Sequence, residues 1–151
     1  MSTFNAEEFL STTSNEAIDT KIVPIPEGDH KAQITKIGVR SIDTAEGARS
    51  ILDLTWEVLD ENVKKATGME KPTARQSIFL DLTEQGSLDF GKGKNRALGL
   101  VREALGQNKP GKSWAPRMLE NQMATIKIAH RPDKNDPENI FSDVKKVTKV
   151  A

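Results

Sequence analysis

Asp29-His30-Lys31-Ala32-Gln33-Ile34-Thr35-Lys36-Ile37-Gly38-Val39-Arg40 decides the fold. Alternate residues of a strand point to opposite faces, so Ala32 and Ile34 share one face. Ile37 and Val39 fall on the other parity. A strand that changes phase in mid-course carries an extra residue, which predicts a β-bulge near Thr35-Lys36. Gly38 then permits a sharp bend. A bulged, bent strand is one that can serve both ends of a closing sheet.

Downstream, residues 49–59, RSILDLTWEVL, alternate cleanly. Leu52, Leu54, Trp56 and Val58 face inward; Asp53, Thr55 and Glu57 face outward. Residues 75–82, RQSIFLDL, alternate too, with Ile78, Leu80 and Leu82 against Arg75, Ser77, Phe79 and Asp81. Between these strands, DENVKKATGMEKPT reads as a long polar loop. After them the period changes. Gly91-Lys92-Gly93-Lys94 opens a helix over about Asn95–Leu105, with Leu98, Val101 and Leu105 on one stripe and Gly106 placed to end it. Ala115–Asn121 adds a short helical turn. Strand four is Met123–Arg131, with Ala124, Ile126 and Ile128 inward. Strand five spans Ile140–Val150, but its valines at 144, 147 and 150 fit neither strict alternation nor a helix.

Upstream, Asn5 and Glu8 have the spacing of a capping box, and Phe4 and Phe9 that of a hydrophobic staple, predicting a short helix near 6–12. Thr12–Lys21 reads as an extended arm. Pro24, Pro26 and Glu27-Gly28 mark a turn into the first strand. The order is β-β-β-α-β-β. That is the connectivity of a five-stranded OB-fold barrel, although an α+β sandwich gives the same string. The expected class is mainly β: an OB-fold-like domain over 28–151, preceded by an acidic arm over 1–27.

The chain has 151 residues, with 22 basic and 22 acidic side chains, so its formal net charge is zero. That excludes a polycation of histone type, but the position of the charges matters more than their sum. Residues 1–30 hold six acids and one base; residues 92–151 hold thirteen bases and six acids. There are no cysteines, which excludes disulfides and thiolate metal sites. No stretch approaches the ~20 apolar residues of a membrane span. The opening MSTFNAEEFL carries two acids and no base, unlike a signal peptide. A soluble, intracellular protein without a membrane partner is expected.

Three stretches carry a family resemblance. They are Phe4-Asn5-Ala6-Glu7-Glu8-Phe9, then Val23-Pro24-Ile25-Pro26-Glu27-Gly28-Asp29 leading into an Ala-x-Ile strand, and Leu119-Glu120-Asn121-Gln122-Met123 before strand four. Together they resemble phage-encoded OB-fold single-stranded DNA-binding proteins, often encoded beside recombination and replication genes. The resemblance covers most of the chain. It implies a non-enzymatic protein that coats single-stranded DNA in the cytoplasm of a bacterial host, with phage replication or recombination proteins as further partners. Bacterial single-strand binding proteins end in an acidic, partner-recruiting tail. This chain ends Lys145-Lys146-Val147-Thr148-Lys149-Val150-Ala151, which is basic, so a tail-mediated mechanism is not expected.

Several residues suit a DNA surface. Arg40 and Arg49 bracket the loop between strands one and two, and arginine both pairs with phosphate and stacks on bases. Phe79 shares an outward parity with Arg75 and is the leading stacking residue; packing under the arm or at a dimer contact is its alternative. Lys127 and Arg131 point outward on strand four, so DNA is expected across strands three and four. Lys92, Lys94 and Arg96 cluster beside a helix N-terminus that would attract anions; solvated lysines are the plain alternative. Trp114 and Phe141 are further stacking candidates, although Trp114 could equally be a lid on the core. Trp56 is read as core. Against DNA stand the outward Asp53 and Glu57, which favour a protein-interaction module, such as a replication accessory or a host-factor inhibitor. A homo-oligomer is compatible with this reading.

No enzyme is expected. Gly86-Ser87-Leu88-Asp89-Phe90-Gly91-Lys92 matches a P-loop for seven positions, but Gly93 stands where Ser or Thr must hold magnesium. Asp133, Asp136 and Glu138 lack the glycine and spacing of a calcium loop. His30 and His130 have no partner readable from sequence, and His130 continues the inward parity of strand four. No metal or cofactor is predicted.

Overall fold

The computed structural model describes residues 3–20 and 23–150. Lys21 and Ala151, the ends of the expected arm and of the basic terminus, lie outside them. Five strands form one antiparallel sheet: β1 (Gly28–Thr44), β2 (Gly47–Val58), β3 (Thr73–Phe79), β4 (Met123–Pro132) and β5 (Ile140–Thr148). Their order is β3-β2-β1-β4-β5. The first strand is central because it is long and changes partner. Residues 28–33 pair with β4, and residues 32–44 pair with β2. The register slips between Ile34 and Lys36, at the predicted bulge. Beyond it Ile37 stands opposite Leu54 and packs against the core, while Val39, opposite Leu52, is 66% exposed where the strand runs past the core. Gly38 has an ordinary negative φ and open space where a Cβ would stand, so the bulge and not the glycine redirects the strand.

The core is the inner face of this sheet. Ala32, Ile34, Leu52, Leu54, Trp56, Val58, Ala124, Ile126 and Ile128 are buried together, as their parity predicts. The indole N–H of Trp56 donates to Gln76 Oε1 at 2.9 Å, which satisfies the polar atom of a buried ring. A helix, α3 (Arg96–Ala104), buries Leu98 and Val101 against the same core and lies against β3 and β5. Gly106 follows it at φ +71°, the left-handed position expected of a helix-ending glycine. A single 3₁₀ turn at Pro116–Leu119 leads into β4.

Three expectations are corrected, and the irregular period of the fifth strand is explained. The polar loop after β2 contains a helix, α2 (Glu61–Thr67). Asp60 caps its N-terminus, Gly68 ends it at φ +72°, and Val63 is its buried residue. The loop between β1 and β2 is a tight turn at Ala45-Glu46, because both strands continue past the core as an exposed ribbon. Arg40 and Arg49 therefore sit within strands rather than bracketing a loop. The expected barrel is not closed by hydrogen bonds. β3 and β5 approach each other, but among the described residues no ladder joins them. Finally, β5 carries a second bulge. Partners step from Lys127–Lys146 to Ile128–Val144, leaving Lys145 as the extra residue. That is why Val144 and Val147, three apart, both pack against the core.

The N-terminal segment forms α1 (Ala6–Leu10) as expected. Asn5 Oδ1 accepts from the backbone N–H groups of Glu7 and Glu8, at 3.0 and 3.2 Å. The Phe4 and Phe9 rings meet at 5.6 Å. Residues 12–20 are exposed and have no regular structure. The packed body starts before Gly28. Ile25 is buried, its N–H bonded to Ser142 Oγ at 2.9 Å and its carbonyl to His130 Nε2 at 2.6 Å. His130 thus pins the entry to β1. Among the described residues no helix is long and apolar enough to cross a membrane.

Candidate nucleic-acid interface

Pairing of β2 with β3 sets Asp53 opposite Ser77, Thr55 opposite Arg75 and Ile51 opposite Phe79. Pairing of β1 with β2 sets Gly38 opposite Asp53 and Arg40 opposite Ile51. The outer face of these three strands therefore gathers Arg40, Arg75 and Phe79. Arg49 joins them from the ribbon, its guanidinium carbon 5.2 Å from the centroid of the Phe79 ring. Phe79 is 49% exposed, so the ring is braced by a cation while half of it meets solvent.

Asp53 lies in the middle of this face, and its charge is not left free. Arg40 Nε reaches Asp53 Oδ2 at 2.7 Å, and Ser77 Oγ donates to Oδ1 at 2.7 Å. Its side chain is only 16% exposed. Burial opposes the charge, but the hydrogen bonds from Arg40 and Ser77 and the charges of Arg40 and Arg75 outweigh it. They hold the carboxyl below its ordinary value. The repulsion expected from an outward Asp53 is thus largely neutralised. Glu57 stands farther along β2, opposite Thr73.

Arg75 also borders a cleft of about 670 Å³ that runs where β3 and β5 face each other. From the far side Arg131 and Phe141 enter it. They are ladder partners, with the Arg131 guanidinium 5.0 Å from the Phe141 ring centroid and its Nε 2.7 Å from Asp143 Oδ2. An arginine–phenylalanine pair thus borders the cleft on the β5 side, while the Arg49–Phe79 pair lies outside it, on the outer face. Lys127 does not join it. It stands exposed between Asp29 on β1 and Lys146 on β5, and lines none of these clefts. The sheet order sets β2 and β1 between β3 and β4, the two strands across which DNA is expected.

The lysines before α3 take a different position. Lys94 lines a small cleft with Arg49 and Asp81, while Lys92 is exposed on the turn. The start of the helix is already supplied with an anion, because the Asn95 N–H donates to Asp81 Oδ2 at 2.9 Å. Arg96 borders a neighbouring cleft beside Phe90. Trp114 is half-buried against the core. Its indole N–H donates to Gln107 Oε1 at 2.9 Å, and the Arg102 guanidinium carbon sits 4.1 Å from its ring centroid. Sequence reasoning missed Phe90 and Arg102. Phe90 lies inside the P-loop-like run, and Arg102 lies in a helix whose readable signal is its apolar stripe. Among the described residues, no three His, Asp or Glu side chains gather as a metal site.

No protein-family model matches the chain, and no curated protein sequence matches it. The residues of the face itself therefore carry the functional reading.

Proposed function

We propose that this protein binds single-stranded DNA without strong sequence preference, on an OB-type sheet, and acts by binding rather than catalysis. The strand order, the shared first strand and a helix between β3 and β4 set against the β3–β5 opening all support the OB reading. The observation that carries the function is the outer face of β1–β3. Arg49 lies over a half-exposed Phe79, Arg40 and Arg75 share its face, and the acids Asp53 and Asp81 there are each paired with an arginine. Bases stack on aromatic rings whatever their identity, and arginines follow the phosphates. Arg131 and Phe141 extend the surface across the cleft. The resemblance adds the setting: phage replication or recombination in the cytoplasm of a bacterial host.

A fluorescence-anisotropy titration with labelled oligo-dT at two salt concentrations tests this reading. Binding should weaken with salt as counterions are released. Phe79→Ala should cost about 1–3 kcal/mol of binding. Absence of binding at low salt would sink the proposal. A second reading, a protein-interaction module, is favoured by one observation: Arg40, Arg49 and Arg131 already have acidic neighbours in Asp53, Asp81 and Asp143. A nuclease-treated pull-down that retains a protein, from a chain with no DNA affinity, would favour it.

A further inference from the structure

Phe90 is 80% exposed, yet the turn that carries it is fixed on both sides. The Asp89 N–H donates to the Asp81 carbonyl at 2.9 Å, and Asn95 Nδ2 donates to the Asp89 carbonyl at 3.0 Å. The Gly91 N–H donates to Asp89 Oδ1 at 2.8 Å. The ring is therefore held out on an ordered backbone, which has lost its freedom before any ligand arrives. Beside it Arg102 is only 9% exposed. Its Nε and Nη2 both donate to the Gln107 carbonyl, and Trp114 covers its guanidinium. Among the described residues no carboxylate pairs with it. A buried cation without a counter-anion leaves a positive potential in the clefts it lines.

Those clefts are two, of about 400 and 470 Å³, and Phe90 and Arg102 belong to both. Lys109 and Lys112 rim the second, next to Trp114. Asp89 and Glu103 border the first, Asp89 Oδ1 accepting the Gly91 N–H, whereas among the described residues no acid lines the second. Lys94 and Asp89 also line the small cleft that contains Arg49. A chain of adjoining clefts thus runs from the Arg49–Phe79 pair to Trp114.

We infer that Phe90, Arg102 and Trp114 form a second contact point for single-stranded DNA, with a base on Phe90 and phosphates before Arg102, Lys109 and Lys112. The inference rests on the DNA-binding reading of the Phe79 face and lengthens its path. Anisotropy with oligo-dT of about 8 and about 24 nucleotides separates the two. The full chain should bind the longer strand more tightly. Phe90→Ala should weaken the longer strand about five- to a hundredfold and leave the shorter one unchanged. A Lys109→Glu, Lys112→Glu chain should behave alike, while Phe79→Ala should weaken both lengths. If Phe90→Ala binds both lengths as the parent does, the second contact is overturned and the first survives. If the parent binds neither length, both fall.

Discussion

Asp53 shows how one residue settles the character of a surface. Alone it would repel phosphate; held by Arg40 and Ser77 it orients the guanidinium and stiffens the face. Its carboxyl is held below the ordinary value of 3.8 in the folded chain. A lowered folded value means that the charged group adds stability above that ordinary value. The contribution is lost as pH falls through the folded value. Asp53→Asn should therefore lower the melting temperature at neutral pH, and the gap from the parent should close in acid. A gap that stayed constant from pH 7 to about pH 2 would show that the charge is not what matters. The outward parity of Phe79, Arg75 and Asp53 is legible in the sequence because each strand alternates. The Arg49–Phe79 and Arg40–Asp53 contacts are not, because they depend on the register between strands, which alternation along one strand leaves open.

The elements divide along the same line. β2 from Leu52 onward and the first half of β4 are legible because each buries every second residue. The bulge in β1 is legible because apolar residues lie on both sides of it and report the change of phase. The bulge in β5 hides the alternation, since its two core valines sit three apart. The ribbon beyond Arg40 buries no regular face and leaves no period to read. α2 is missed because Val63 is its one buried residue, too little to make a stripe. Its signals are the end residues, Asp60 and Gly68. Asp60 Oδ1 accepts the Asn62 N–H at 2.9 Å, and the Gly68 N–H closes onto the Lys64 carbonyl at 3.0 Å. Asp60→Ala should cost about 1 kcal/mol by loss of the cap. Gly68→Ala should cost about 1 kcal/mol by forcing a side chain into the left-handed region. Urea titrations of the two variants check this. Unchanged midpoints would mean that the helix is held by its flanking strands rather than by its ends.

At the scale of the molecule, a neutral total charge conceals an acidic first segment joined to a body whose second half is basic. The clefts lined by Arg75 and Arg131, and by Arg49 and Lys94, follow the outside of the sheet and its helix-side turn. Among the described residues β5 ends that sheet with an edge that no ladder pairs, close to β3 and α3. Uncovered edges invite pairing with another chain, and proteins blunt them with bulges and lysines. Lys145 supplies both at once. Deleting it would leave Val144 and Val147 opposite the same core partners with one residue fewer between them, straightening the edge. The shortened chain should keep its melting temperature but associate at high concentration, as light scattering would show. Lys145→Ala, which retains the bulge, should stay dispersed. A deletion chain as well dispersed as its parent would refute the idea. The extra residue that hides the fifth strand's period is thus also the one whose removal would offer the next molecule a straighter edge to pair with.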